Sequence, residues 1–450
     1  MIRVETRCTM AHRLIQKPHR VCVDGHNPGF SYQAPIRIEK KTMLGTQPRC
    51  TPVNGLTVFP LVIEIYDPDH FIPLDTLTLH QSIRIVKTDN TVLPEGHEKV
   101  APVNNIAISM HGCIKTRIND QEINQESAHH MPYKSILGIP LSYNEDPAEQ
   151  FCAGGYYNVK DASKMDLYTA ENVEWTKMCE KYKKSKVVST SSTLPIDIIS
   201  ADCYLAPDTK LTLEFYPTEP SFHLMQQVKQ NATSVKTEFT EFYMEYRKMK
   251  VSPTDAKLIL GGNNPSSYKL PYTEVRAYQI PSGVSRWNVP VFPNDSPLPK
   301  QIVVAQVKTS DMNSINKNPF KFHHNNINYI APRIDGIVPI NTALEPNFDK
   351  GYIAEAYYQI TRATGKEGSP TEGTLITMKN FKENQTLFPF DLSPDNSNGR
   401  TLQKSKYGKL DIAMGWSTQL NDSVTVLVYC VMDQSVNVDK STKKISSVII

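Results

Sequence analysis

Lys210-Leu211-Thr212-Leu213-Glu214-Phe215 decides the fold. Side chains of an extended chain alternate between two faces, so Leu211, Leu213 and Phe215 share one side and Lys210, Thr212 and Glu214 the other. That is a half-buried β-strand. Leu410, Ile412, Met414 and Trp416 alternate with Asp411, Ala413 and Gly415 in the same way, and Phe242, Met244 and Tyr246 do so within Glu241 to Arg247. Val424 to Met432 is apolar on both faces and belongs in the middle of a domain.

Working outward, further strands are expected at Val58 to Ile65, ended by Asp67-Pro68-Asp69, and at Leu77 to Val86, Pro102 to Cys113 and Ile114 to Ile123. In the second half they are expected at Thr273 to Ile280, Ile302 to Val307 and Phe320 to Ile330. Two helices are expected. Trp175, Met178, Cys179 and Tyr182 recur at helical spacing, as do Ile353, Ala356, Tyr357 and Ile360, and each set makes one apolar stripe to lie on a sheet. The chain therefore reads as all-β, in two sandwich halves with one short helix in each. The boundary is placed near 250–270, where Ser252-Pro253 and Gly261-Gly262-Asn263-Asn264-Pro265 interrupt the pattern. The expected divisions are an amino-terminal arm over 1–56, a first domain over 57–255, a second over 256–440 and a tail over 441–450.

Composition narrows the function. The 450 residues carry 49 Lys+Arg and 46 Asp+Glu, a net charge of +3, which is too little basic excess for a dedicated DNA-packaging protein. Hydrophobic residues at 39% exclude disorder over the whole length. The longest apolar run, Val424 to Met432, is far below the ~20 residues that span a bilayer, so no membrane span is expected. The first residues, Met1-Ile2-Arg3-Val4-Glu5-Thr6-Arg7, have no apolar signal core. Eight scattered cysteines without a CxxC read as reduced thiols, and the four Asn-x-Ser/Thr sequons as chance.

Motifs for catalysis do not emerge. There is no P-loop, GxGxxG, GxSxG or HExxH. His129-His130 and His323-His324 are adjacent pairs, and strand neighbours point to opposite faces, so neither pair is expected to chelate a metal. Asp67-Pro68-Asp69 lacks the Gly and distal Glu of a calcium loop and reads as a turn. Lys181, Lys183, Lys184 and Lys186 follow the first helix: a solvated helix end complementing the dipole, or a weak nucleic-acid contact. No catalytic residue, metal or cofactor is expected, and a large, near-neutral, strand-rich chain without an active site reads as structural. The alternative from another class is a carbohydrate-binding or hydrolytic β-sandwich, which needs an exposed aromatic platform or a carboxylate pair ~5–9.5 Å apart.

The run Ala101-Pro102-Val103-Asn104-Asn105-Ile106-Ala107-Ile108-Ser109, followed by Arg117-Ile118-Asn119-Asp120-Gln121-Glu122-Ile123, resembles the major capsid protein of Polinton/Maverick elements and adintovirus-like DNA viruses. Tyr133 to Tyr143 and Tyr156-Tyr157-Asn158-Val159-Lys160-Asp161 resemble that family's next helix and Tyr…Lys-Asp segment. Leu298 to Val307 with Asn318-Pro319-Phe320-Lys321-Phe322, then Thr386 to Leu392, then Gly408 to Val438, are similar to its second half. The resemblance covers about 57 to 440. It implies a double jelly roll, three copies of which form a pseudo-hexagonal capsomer tiling an icosahedral shell around double-stranded DNA. It also implies a virion location, assembly inside the host cell and a minor or penton capsid partner, while the net charge of +3 implies no tight DNA binding. Pro102 is expected to start a strand, and the Asn104 and Asn105 amides to bond to loop backbone. Asn318-Pro319-Phe320 reads as a turn followed by a buried aromatic.

Overall fold

In the computed structural model the alternation at 210–215 becomes the wall of a sandwich: Leu211, Leu213 and Phe215 are fully buried and Lys210 and Glu214 half-buried. The structure describes residues 42–43, 48–95, 97, 99–123, 128–143, 149–200, 204–227, 234–251, 266–339, 342–369, 372–393, 407–439 and 444–449. The expected boundary at Ser252-Pro253 and Gly261 to Pro265 lies outside them.

The sandwich strands of the first half are β1 (Arg49–Cys50), β2 (Leu61–Asp67), β3 (Thr78–Lys87), β4 (His111–Ile118), β5 (Gln121–Glu122), β6 (Val188–Thr193), β7 (Thr209–Pro217) and β8 (Val235–Glu245). They form two antiparallel sheets, ordered β2-β7-β4-β5 and β1-β8-β3-β6. Leu61, Ile63, Leu213 and Phe215 of one meet Leu79, Phe242 and Met244 of the other in one core. Each such side chain contributes ~1.5–3 kcal/mol on burial.

The second half has β9 (Ser266–Ile280), β10 (Arg286–Pro297), β11 (Gln301–Lys308), β12 (Ile327–Ile334), β13 (Leu387–Asp391), β14 (Tyr407–Trp416), β15 (Val424–Asp439) and β16 (Lys444–Ile449). One sheet runs β9-β15-β11-β13, with β16 also on β15; the other runs β10-β14-β12. Val424 to Met432 sits between β9 and β11, and its side chains on both faces of the sheet are buried, as its apolar run requires. Trp416 of β14 donates to Gln306 Oε1 of β11 at 3.0 Å, a bond across the sandwich.

The helices are α1 (Ile106–Ser109), α2 (His130–Ser142), α3 (Val173–Tyr182), α4 (Asp197–Ser200), α5 (Pro220–His223), α6 (Ala354–Ala363) and α7 (Met378–Lys382). The two expected amphipathic helices are α3 and α6. Trp175, Met178, Cys179 and Tyr182 are buried in α3. Ala356 and Ile360 are buried in α6, and Ile353 precedes it as N-cap. No helix among the described residues is long and apolar enough to cross a membrane.

Several expectations are corrected. The stretch from Pro102 to Cys113 is not one strand: Asn105 turns left-handed (φ 55°) and starts α1. Pro102 ends the strand Val100–Pro102 rather than starting one: the ladder closes with Val103 N–H donating to His223 O at 3.0 Å, where the partner segment is already helical in α5. The strand read over Phe320 to Ile330 begins only at Ile327, since Asn325 and Asn326 both adopt positive φ. Ile114 to Ile123 is a hairpin whose two turn residues, Asn119 and Asp120, have φ 46° and 69°, matching a tight right-twisted turn. Thr42–Met43 pairs with Met249–Lys250, β1 pairs with β8, and β16 pairs with β15. Backbone ladders with the chain's own sheets hold these pieces.

Three histidines are among the buried polar groups, and two of them, His111 and His223, lie in the first sandwich. His111 meets Gln81 Oε1 at 3.0 Å among Phe215, Phe239 and Phe242. His223 lies between Thr218 Oγ1 and Thr237 Oγ1. Burial, then the neighbouring His223, drives the His111 pKa down to about 3; burial drives that of His223 down to about 4. Folded-state values below the unfolded ~6.5 mean that the stability is complete above pH 6.5 and drains away as pH falls toward 4. At pH 4.5 the two histidines together are expected to cost about 5 kcal/mol relative to pH 7. Chemical denaturation at both pH values checks this: His111→Gln should shrink the gap by about 2–3 kcal/mol.

Candidate functional site

Chemistry-bearing side chains concentrate where the halves meet, around α2. Its sequence, HMPYKSILGIPLS, is apolar almost all round, and every residue except Gly138 is buried. Such a helix belongs inside a protein. It packs between β4 of the first half and β9 of the second. One hydrophobic cluster runs continuously through both halves, from Ile83, Tyr133 and Trp175 to Ile302, Phe320 and Val428.

Lys134 is the exception on α2. It is 5% exposed, and its Nζ donates to Asp197 Oδ1 of α4 at 2.7 Å. The same carboxylate accepts the N–H of Thr273 on β9 at Oδ2 (2.8 Å) and the Thr273 hydroxyl at Oδ1 (2.8 Å). One turn earlier, His130 Nδ1 accepts the Val275 N–H at 3.2 Å. Pro140 O accepts both Leu375 N–H (3.0 Å) and Thr374 Oγ1–H (2.8 Å) from the second half. Tyr133, Phe222 and Phe320 pack edge-to-face, each pair of ring centres 5.8 Å apart, and Tyr133 O–H donates to Pro319 O at 3.2 Å.

A second seam follows Tyr156 to Asn172. The fully buried Asn380, in α7, donates to Val159 O at 2.7 Å and accepts Ala162 N–H at 3.1 Å. Asp166 accepts Asn318 N–H at 2.9 Å and binds the Lys321 ammonium.

The motif residues fall largely on this junction. Val103 is fully buried in the shared cluster. Asn104 donates to Tyr157 O at 2.7 Å and accepts Tyr157 N–H at 2.9 Å, as expected of its amide. Asn105 works differently: its side-chain oxygen has no partner among the described residues, and its backbone does the work, with its N–H donating to Gly155 O at 3.1 Å. Gly155 (φ +82°) has no room for a side chain, since a Cβ would stand 2.8 Å from Ile106 Cγ2. Asn318 Oδ1 accepts Phe320 N–H at 3.0 Å, closing the expected turn, and Phe320 is buried. Asn104 and Phe320, 216 positions apart in sequence, line one small cavity of about 20 Å³ between the halves. Asn119 lies elsewhere, in the β4–β5 turn, where its Oδ1 accepts Lys210 N–H at 2.9 Å.

Lys181, Lys183, Lys184 and Lys186 are all exposed at the end of α3. Lys183 pairs with Glu180 at 3.5 Å and Lys184 with Glu95 at 2.7 Å, which halves the cluster's uncompensated charge. The histidine pairs are not on strands. His129-His130 opens α2, with His129 against Phe222 (4.3 Å); His324 stacks on Phe348 (4.1 Å), and His323 faces Asp311 (3.6 Å). Asp67 is a turn: its Oδ1 accepts the N–H groups of Asp69 and His70. Among the described residues no group of three or more His, Cys, Asp or Glu could hold a metal ion.

Solved structures share this architecture. A chain of the Sputnik virophage matches with TM-score 0.57 at 12% identity, covering 94% of this chain and 92% of that one. The PBCV-1 virus capsid matches at 0.55 and 10%, covering 93% and 100%. The mavirus major capsid protein matches at 0.50 and 11%, covering 96% and 94%. The fold is the double jelly roll of viral capsid proteins. No family model and no curated protein matches the sequence.

Sequence reasoning missed Lys134, Asp197, Asp166, Asn380 and Gly155. Lys134 alone left a signal, a single charge inside an apolar helical run.

Two outcomes follow for stability in denaturant. Lys134→Met leaves the half-buried Asp197 carboxylate without its cation and should cost about 1.5–3 kcal/mol; adding Asp197→Asn should return part of that loss. Asn105→Gly should be within about 1 kcal/mol of the parent, while Asn105→Val should lose at least ~1–2 kcal/mol, because the left-handed backbone penalises a β-branched side chain.

Proposed function

We propose that this chain is a major capsid protein. Three copies form a pseudo-hexagonal capsomer, and capsomers tile an icosahedral shell enclosing a double-stranded DNA genome. The observation that carries the reading is the pair of jelly rolls locked through buried α2. Two sandwiches held rigidly side by side supply two of six roughly equivalent towers, so three chains close a near-hexagonal ring. Closed three-fold symmetry makes each contact heterologous and ring-closing. Exposed side chains of the size an interface needs are present, among them Trp287, Ile337, Tyr352 and Tyr407.

In this reading the protein's main partner is itself, with a minor or penton capsid protein at the vertices. Its place is the virion, after assembly inside the host cell. Its work is mechanical rather than catalytic, and DNA is enclosed rather than gripped.

Mass photometry of the purified chain at micromolar concentration should show trimers, consistent with an interface above ~2,000 Å². Negative-stain images should show hexagonal particles or shells. A stable monomer that cleaves or binds glycans would replace this reading with a hydrolytic or lectin-like one.

DNA binding at about 150 mM salt should be no tighter than ~10⁻⁴–10⁻⁶ M. If Lys181, Lys183, Lys184 and Lys186 make every contact, the log–log salt slope should not be steeper than about −3.6. Filter binding at two salt concentrations reads both quantities.

A further inference from the structure

Among the described residues strand β9 forms one edge of its sheet, and there that edge is closed at one end and open at the other. In an antiparallel ladder alternate residues turn their N–H and C=O groups away from the neighbouring strand. Thr273 and Val275 turn theirs toward the first half, which takes their N–H groups through Asp197 and His130. By the same alternation Ala277 and Gln279 turn theirs outward; both residues are exposed. The edge runs into an open groove of about 600 Å³, with His129, Tyr133, Met312 and Leu427 in its wall.

Sheet edges are usually protected by proline, a bulge or an outward charge. β10 carries Pro290, Pro293 and Pro297. From Thr273 to Ile280 there is no proline and no shift in register. The one cation there, Arg276, also lines the groove but is already engaged: it pairs with Glu274, donates to Val291 O and lies 3.8 Å over the Phe292 ring.

We propose that the open edge of β9 is a strand-addition site, and that its occupant is the amino-terminal segment of this chain, residues 1–41. The segment lies outside the described residues, and three observations select it. The first is where the chain comes in. Thr42–Met43 pairs with Met249–Lys250, and Met249 also bridges Phe71. From Phe71 the chain runs directly into Leu74–Thr76, which packs on α4, the helix that brings Asp197 to β9. The second is reach: 41 extended residues span up to ~135 Å, enough for this edge in the same or a neighbouring copy. The third is pattern and charge. Ile2-Arg3-Val4-Glu5-Thr6-Arg7 alternates strictly, so one face can meet the groove while the charges meet water. The segment holds eight of the 49 Lys+Arg and three of the 46 Asp+Glu, so a basic segment meets a net acidic remainder.

Hydrogen–deuterium exchange of the full chain tests this. Amides of Ala277 and Gln279 and of residues 2–7 should both exchange at least about tenfold slower than unprotected amides. Ala277→Pro removes an outward N–H that β15 does not use, so it should release residues 2–7 to the unprotected rate while β15 stays protected. Val4→Pro, placed in the segment itself, should release Ala277 and Gln279, and serves if Ala277→Pro disturbs the sheet. Free exchange of residues 2–7 in the parent chain overturns the proposal. So does a protected edge with a free amino terminus, which would mean a different occupant, or protection that both proline variants leave intact. None of these results bears on whether three chains form a capsomer.

Discussion

An ammonium group cannot be taken out of water unless a carboxylate goes with it, and Lys134 has made that choice in the middle of an otherwise apolar helix. Its partner Asp197 also takes two hydrogen bonds from Thr273, a buried residue of β9. One carboxylate thus joins α2, α4 and the second sandwich. Apolar packing alone would tolerate sliding of one half over the other. A buried, directional charge with three bonds does not, because any shift strands a charge in a low-dielectric interior. The aromatic trio of Tyr133, Phe222 and Phe320 and the Asn380 seam act in the same direction from neighbouring positions. Two sandwiches become one block.

A protein built of sheets must also control its sheet edges. β10 does so with three prolines in twelve residues. β6 has Gly154 of the Glu149–Gly154 turn packed against Ser192. The far end of β15, where β11 has already ended, is continued by β16. Against these, the bare stretch of β9 stands out.

The loops solve a different problem. Glycine is scarce, at 20 of 450, yet tight turns need left-handed backbone. Nine of the twelve non-glycine residues at positive φ among the described residues are Asn or Asp, including Asn105, Asn119 and the Asn325-Asn326 pair. These side chains tolerate that conformation better than any others and can bond locally. Asn119 and Asn105 are thus valued for their backbones first.

Local periodicity determined the strands and the two amphipathic helices, because alternation and 3.6-residue spacing are properties of a few neighbouring residues. The all-β class, two halves and the burial of Leu211, Phe215, Trp175 and Ile360 were legible for that reason. The family resemblance pointed to Asn104 and Phe320, but no local pattern says that they line one cavity. Helix α1 was hidden, since IAIS is as apolar as a strand and only the left-handed Asn105 redirects it. Asp197, Asp166 and Asn380 look like surface residues in sequence. Their roles come from partners 63 to more than 200 positions away, brought close only when the two sandwiches dock. Burial converts an ordinary carboxylate into a structural rivet, and burial is a property of the assembled tertiary structure.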